Sequence, residues 1–141
     1  MKRYMSLDIG DATIGIAVSD LLGLTAQGVE TIRRTELAAD FDRLGALIEE
    51  YEVMALVAGL PKHMNGDEGE RCAIVRAFMA DVAKRFPTLE IHYWDERLST
   101  VAASRALIEG DVSRKKRRKV IDKMAAVYIL QGFLDRQQNL K

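Results

Sequence analysis

The chain has 141 residues, is 48% apolar and 30% charged, and balances 21 Lys+Arg against 21 Asp+Glu for a formal net charge of +0. This suits one domain with its own core and excludes both two ordinary domains and disorder throughout. Overall charge names no partner, the lone Cys72 excludes an intrachain disulfide and a cysteine-built zinc site, and no apolar run nears the ~18 residues of a membrane helix.

Arg3–Ile9 reads as a first strand, apolar apart from Ser6 and Asp8, and it follows an N-terminus without the pattern of a signal peptide. Gly10-Asp11 is a turn, and the β-branched Ile14–Val18 is a second strand paired to the first as a hairpin. Gly28–Ile32 is a third strand. Glu36–Tyr51 is a helix, with Leu37, Phe41, Leu44, Leu47 and Ile48 at helical spacing. Val53–Ala58 is a buried strand ended by Gly59 and Pro61, and a polar loop, Lys62–Gly69, carries an Asn65-Gly66 turn signal. A second helix, Arg71–Phe86, is closed by Pro87 and holds Cys72, read as a packing residue in a reducing, cytoplasmic setting. Ile91–Trp94 is a fifth strand, Ser99–Ile108 a third helix, Arg114–Lys119 a basic loop, and Val120–Arg136 the last helix. The fold class is therefore α/β. Three antiparallel strands come first, parallel strands with crossover helices follow, and a mixed five-stranded sheet flanked by helices results.

Ligands of such sheets sit near the carboxyl ends of the strands, and acids gather there. Asp8 interrupts an apolar strand, where a carboxylate is costly unless paired or bound to metal; its bland alternative is a turn cap beside Gly10. Asp95-Glu96-Arg97 follows the fifth strand. Two adjacent acids cannot both face one site along a continuing strand, so one faces it and the other pairs with Arg97 or caps the next helix; the choice stays open. Asp122 stands in the first turn of the last helix, where the helix dipole also explains an acid. Together these carboxylates suggest an oxygen-ligand site for magnesium or manganese.

The tract Arg114-Lys115-Lys116-Arg117-Arg118-Lys119 is a set of mutually repelling cations, and a phosphate backbone is its natural counter-charge. Lys62 and Asn65 in the loop after the fourth strand could also touch a nucleic acid, whereas His63 reads as an exposed loop residue and His92 as structural.

These same segments resemble the YqgF/RuvX family, named for pre-16S rRNA nucleases and Holliday junction resolvases. The resemblance rests on Leu7-Asp8-Ile9-Gly10 with Ile14-Gly15-Ile16-Ala17-Val18-Ser19-Asp20, on Gly59-Leu60-Pro61 with Asn65-Gly66, on Asp95-Glu96-Arg97-Leu98-Ser99-Thr100, and on Val120-Ile121-Asp122-Lys123-Met124-Ala125-Ala126. The four pieces stand in family order across nearly the whole chain. The resemblance implies a ribonuclease H-like fold and a divalent-metal site of Asp8, Asp95, Glu96 and Asp122, with Arg97 and Arg114–Lys119 on the phosphate backbone. One departure is visible: Thr13 stands where the family commonly has an arginine, which implies one phosphate contact fewer.

The expected protein is thus a metal-dependent nuclease acting on structured nucleic acid, trimming the 5′ end of pre-16S rRNA. A resolvase of four-way DNA junctions would use the same site and favours a symmetric dimer. A non-catalytic nucleic-acid-binding assembly factor would use only the fold and the basic tract. A nucleotide-binding module of the actin-like kind needs two such domains around its nucleotide, and this chain has room for one.

Overall fold

The apolar alternation of the first strand decides the layers. In a computed structural model, which describes residues 2–98 and 114–139 (side chains at 2–98 and 124–139), β1 (Tyr4–Ile9) lies in the middle of a five-stranded sheet. It pairs antiparallel with β2 (Thr13–Ser19), which pairs antiparallel with β3 (Ala26–Arg33). On its other side β1 pairs parallel with β4 (Ala55–Leu60), and β4 with β5 (Glu90–Asp95), so the order is β3-β2-β1-β4-β5. This is the mixed sheet expected from the sequence.

One face of the sheet carries Met5, Leu7 and Ile9 of β1, Ile14 and Ile16 of β2, and Leu56 and Ala58 of β4. Two helices cover it, α1 (Leu37–Glu50) and α2 (Glu70–Arg85), through Phe41, Leu44 and Leu47 and through Val75, Phe78, Met79 and Val82. Cys72 is buried in the same cluster, and burial pushes its thiol up from its ordinary range. Each fully buried side chain of this size contributes about 1.5–3 kcal/mol. The start of α1 is tied by Asp40, which accepts from the Thr35 backbone N–H at 3.1 Å and lies 3.6 Å from Arg34.

The opposite face is covered by α3 (Arg114–Asn139), whose Ala125, Ala126, Ile129, Leu130 and Phe133 pack on Ala17, Val57 and Trp94. The helix comes closest where its contact residue is a glycine. A Cβ added at Gly132 would stand 2.8 Å from the Trp94 ring.

Three sequence expectations are corrected. The basic tract Arg114–Lys119 is not a loop but the first turns of α3, which begins at Arg114 rather than Val120. Arg and Lys are good helix formers, and each like-charge pair costs only a few tenths of a kcal/mol, so a helix anchored by its packed half can extend through them. Strand β4 runs through Gly59 to Leu60 instead of ending before it, because Gly59 and Leu60 pair with Trp94 and Asp95 of β5. At its other end, Val53 remains tied to α1 by its N–H to the Ile48 carbonyl at 2.9 Å. After β5 the chain enters a 3-10 turn, Glu96–Leu98. The helix expected at Ser99–Ile108 lies outside the described residues. Among the described residues no helix is long and apolar enough to cross a membrane.

Candidate active site

Three strands end side by side, and their carboxyl ends place the acids. Side chains alternate along β1, so Asp8 faces the same way as Ser6. The Ser6 hydroxyl donates to the Ala126 carbonyl of α3 at 2.6 Å, which puts both residues on the α3 face. Asp8 is half-buried and lies opposite Gly15 of β2. On the other side, Leu7 pairs with Ala58, so the next residue of β4, Gly59, flanks Asp8.

Gly59 allows a close approach at the end of β4. A Cβ there would lie 2.5 Å from Ile129 Cδ1 and 3.3 Å from the Glu96 carboxyl carbon. The missing side chain therefore lets Ile129 and the Glu96 carboxyl close against the strand beside Asp8, and Glu96 Oε1 is withdrawn from solvent.

Asp95 and Glu96 part company at the end of β5. The Asp95 carboxylate accepts from Arg97 three times over: from Nη2 at 2.6 Å, from Nε at 3.0 Å and from the backbone N–H at 3.0 Å. These hydrogen bonds, the guanidinium first, hold its carboxyl below the usual carboxylate range despite the opposing effect of burial. Arg97 also donates through Nη1 to the Met64 carbonyl at 3.2 Å, tying the loop after β4 to the end of β5. Of the two alternatives left open by the sequence, Asp95 is the partner of Arg97 and Glu96 is the acid beside Gly59.

Asp122 lies on α3 one turn before Ala126; its side chain, like those of Arg114–Lys119, is outside the described part of the helix. Among the described residues no group of three or more His, Cys, Asp or Glu side chains could hold a metal ion. Within that set the strand ends offer the carboxylates of Asp8 and Glu96. Such hard oxygen donors fit magnesium or manganese, which keep waters in their remaining positions.

The loop residues are engaged in their own turn. Asn65 donates to Asp67 at 3.0 Å and accepts from its backbone N–H at 3.0 Å, and Gly66 takes a φ of +96°, which favours glycine. Lys62 lies 4.0 Å from Glu68. His63 is exposed, and His92 packs 5.1 Å from Phe133 on the α3 face. Thr13 opens β2, and its carbonyl accepts from Gly10 N–H at 2.9 Å in the turn after Asp8.

Sequence reasoning missed the close approach at Gly59, the tie from Ser6 to α3, and Arg71, which binds Asp11 at 2.7 Å and the Ile9 carbonyl at 3.3 Å beside the same turn. The signal for Ser6 was present, as a second polar residue two positions before Asp8 in an apolar strand.

Comparison with known proteins fits this geometry. A sequence profile of the RuvX family, described as "Holliday junction resolvase", matches residues 2–136. A protein of Heliobacterium modesticaldum named "Putative pre-16S rRNA nuclease" is 54% identical over 138 residues, covering 98% of this chain and 92% of its own length. One of the same name from Clostridioides difficile is 56% identical over 133 residues, covering 94% of each. In fold, the chain is similar to T. thermophilus RuvC in complex with a Holliday junction substrate, with a TM-score of 0.58 at 12% identity over 98% of this chain and 97% of that one. The yeast mitochondrial Holliday junction resolvase Ydc2 also gives a TM-score of 0.58, at 12% identity over 99% of this chain and 80% of that one. With a family profile spanning nearly its whole length and relatives more than half identical, this chain belongs to the RuvX (YqgF) family and has the ribonuclease H-like fold of the RuvC resolvases.

Proposed function

We propose that the protein is a divalent-metal-dependent nuclease, a single ribonuclease H-like domain that processes the 5′ end of precursor 16S rRNA in the cytoplasm. The observation that carries this reading is the convergence at Gly59, whose missing side chain lets the Glu96 carboxyl close against the strand ends beside Asp8. The names of its closely similar relatives supply the substrate.

Asp8, Glu96 and Asp122 would hold magnesium or manganese, with Asp95 kept out of the set by its bonds to Arg97. When bound, the metal supplies Lewis-acid stabilisation of charge on the phosphodiester and makes a water nucleophilic at neutral pH. The chain's own groups position the substrate. Arg97 fixes the loop bearing Lys62 and Asn65 at the mouth of the site through the Met64 carbonyl. Arg114–Lys119 gather cations at the N-terminal end of α3, where they oppose the helix dipole; a phosphate backbone relieves both the dipole and the mutual repulsion.

A second reading, cleavage of four-way DNA junctions, is favoured by the family description and by the likeness to RuvC bound to its junction. It requires two symmetric cuts and hence a dimer.

The test is cleavage of a labelled precursor 16S rRNA leader and a four-way DNA junction, each with magnesium, with manganese and with chelator. Metal-dependent cutting of the RNA is expected, reduced at least ~100-fold in Asp8→Asn with the unfolding midpoint retained. Paired cuts in the junction alone would select the second reading. Binding without cutting in every lane would select an assembly factor, and full activity in Asp8→Asn would overturn the site.

A further inference from the structure

An open cleft of about 370 Å³ lies beside Asp95, at the edge of β5 that pairs with no further strand among the described residues. It wraps that edge, with Arg76 and Tyr93 on the α2 side, Trp94, Phe133 and Arg136 on the α3 side, and Lys62 from the loop after β4. Its volume falls within the ~300–1,000 Å³ of small-ligand sites.

Three features give the cleft a chemical character. The Arg76 guanidinium lies 4.6 Å from the Tyr93 ring centroid and is held by Glu68 at 2.6 and 2.8 Å, a flat cationic surface already fixed in place. Arg136 is exposed and makes no ion pair among the described residues, and Lys62 is held only loosely by Glu68 at 4.0 Å, so both charges remain available to an anion. Trp94 is only 7% exposed, and among the described residues its indole Nε1 is buried with no acceptor. The nitrogen edge of the ring lies against Gly132 of α3, so the indole is a fixed part of the cleft wall. The one carboxylate on the wall, Asp95, is already paired with Arg97.

We infer that this cleft binds one unpaired nucleotide of the substrate. Its base lies flat on the Arg76–Tyr93 pair, close to the Trp94 indole in the cleft wall, and its phosphate meets Lys62 and Arg136. Unstacked bases are recognised on aromatic and guanidinium planes in this way, whereas a base inside a duplex is not free to enter. The inference rests on the nuclease reading and deepens it: the strand to be cut carries single-stranded character next to the acids, as a precursor end does and an intact duplex does not.

Trp94 is the chain's only tryptophan, so its emission reports on the cleft alone. The experiment titrates the full chain, in chelator, with a short single-stranded RNA and with a blunt duplex of the same sequence, while cleavage of the precursor leader is assayed in parallel with magnesium. The expected result is a saturable change in emission with the single strand and none with the duplex. Arg136→Gln and Lys62→Gln should each shift the midpoint about ten-fold, with unchanged unfolding midpoints. Silent emission with the single strand, or an equal response to the duplex, would overturn the subsite; if cleavage persists, the nuclease reading stands. Absence of both binding and cleavage would remove the two together, and a saturable response without cleavage would keep the subsite while removing the enzyme.

Discussion

On one side of the sheet β1 presents Met5, Leu7 and Ile9; on the other the same six residues present Tyr4, Ser6 and Asp8. The first set disappears into a continuous apolar cluster beneath α1 and α2. The second meets a single helix through a smaller apolar cluster that includes Ala126, Ile129, Leu130 and Phe133 and through one serine hydroxyl, with Asp8 at its edge and a cleft at β5. Ser6 and Asp8 thus both fall at even positions of one strand, beside α3, and the two sets can be perturbed separately.

The largest effect should come from the apolar side. Leu44→Ala deletes a fully buried side chain under α1 and should cost about 2–5 kcal/mol in urea unfolding. Turnover per folded molecule should stay near wild type, and a matching loss of turnover would break the division between the faces. Next comes Gly59→Ala, which places a methyl group 2.5 Å from Ile129 Cδ1 and 3.3 Å from the Glu96 carboxyl carbon. It should cost about 1–3 kcal/mol by overpacking, yet lower cleavage far more than that instability explains by displacing the Glu96 carboxyl; cleavage that follows stability alone would deny Gly59 a role in the site.

The smallest effect sharpens the split between the neighbouring acids. Arg97 lowers the Asp95 carboxyl in the folded protein, so this pair's stabilisation is present above the ordinary carboxylate range and is lost as pH falls through it. Arg97→Gln should therefore be slightly less stable than wild type near neutrality, the pair being solvent-screened, with the gap closing in acid. Unfolding curves at both pH values measure it. A gap that widens in acid would contradict the assigned pairing.

Much of this could be read beforehand from the residues. The interruption of Leu7 and Ile9 by Asp8, the hairpin at Gly10-Asp11, and the strand–helix alternation after residue 50 led to the observed sheet. The basic tract was misread because repulsion between cations was weighed without the anchoring that Ala125, Ile129 and Leu130 give the rest of the same helix. Glu96 and Asp95 could not be told apart because their directions are set by a 3-10 turn after β5, and no periodicity announces one. The cleft was invisible for a similar reason: Arg76, Trp94 and Arg136 come from three elements, and only the register of β5 beside β4 and the docking of α3 bring them together.

The bond from Ser6 to the Ala126 carbonyl joins residues 120 apart in sequence. It pins the helix that carries Asp122 to the strand that carries Asp8, so the proposed metal-binding set exists only once both are in place. During synthesis, a chain elongated as far as β5 already has the partners of its apolar α1/α2 face, but has no α3 to complete the other. The proposed set of Asp8, Glu96 and Asp122 is therefore assembled last in chain order, when α3 closes the second face of the sheet.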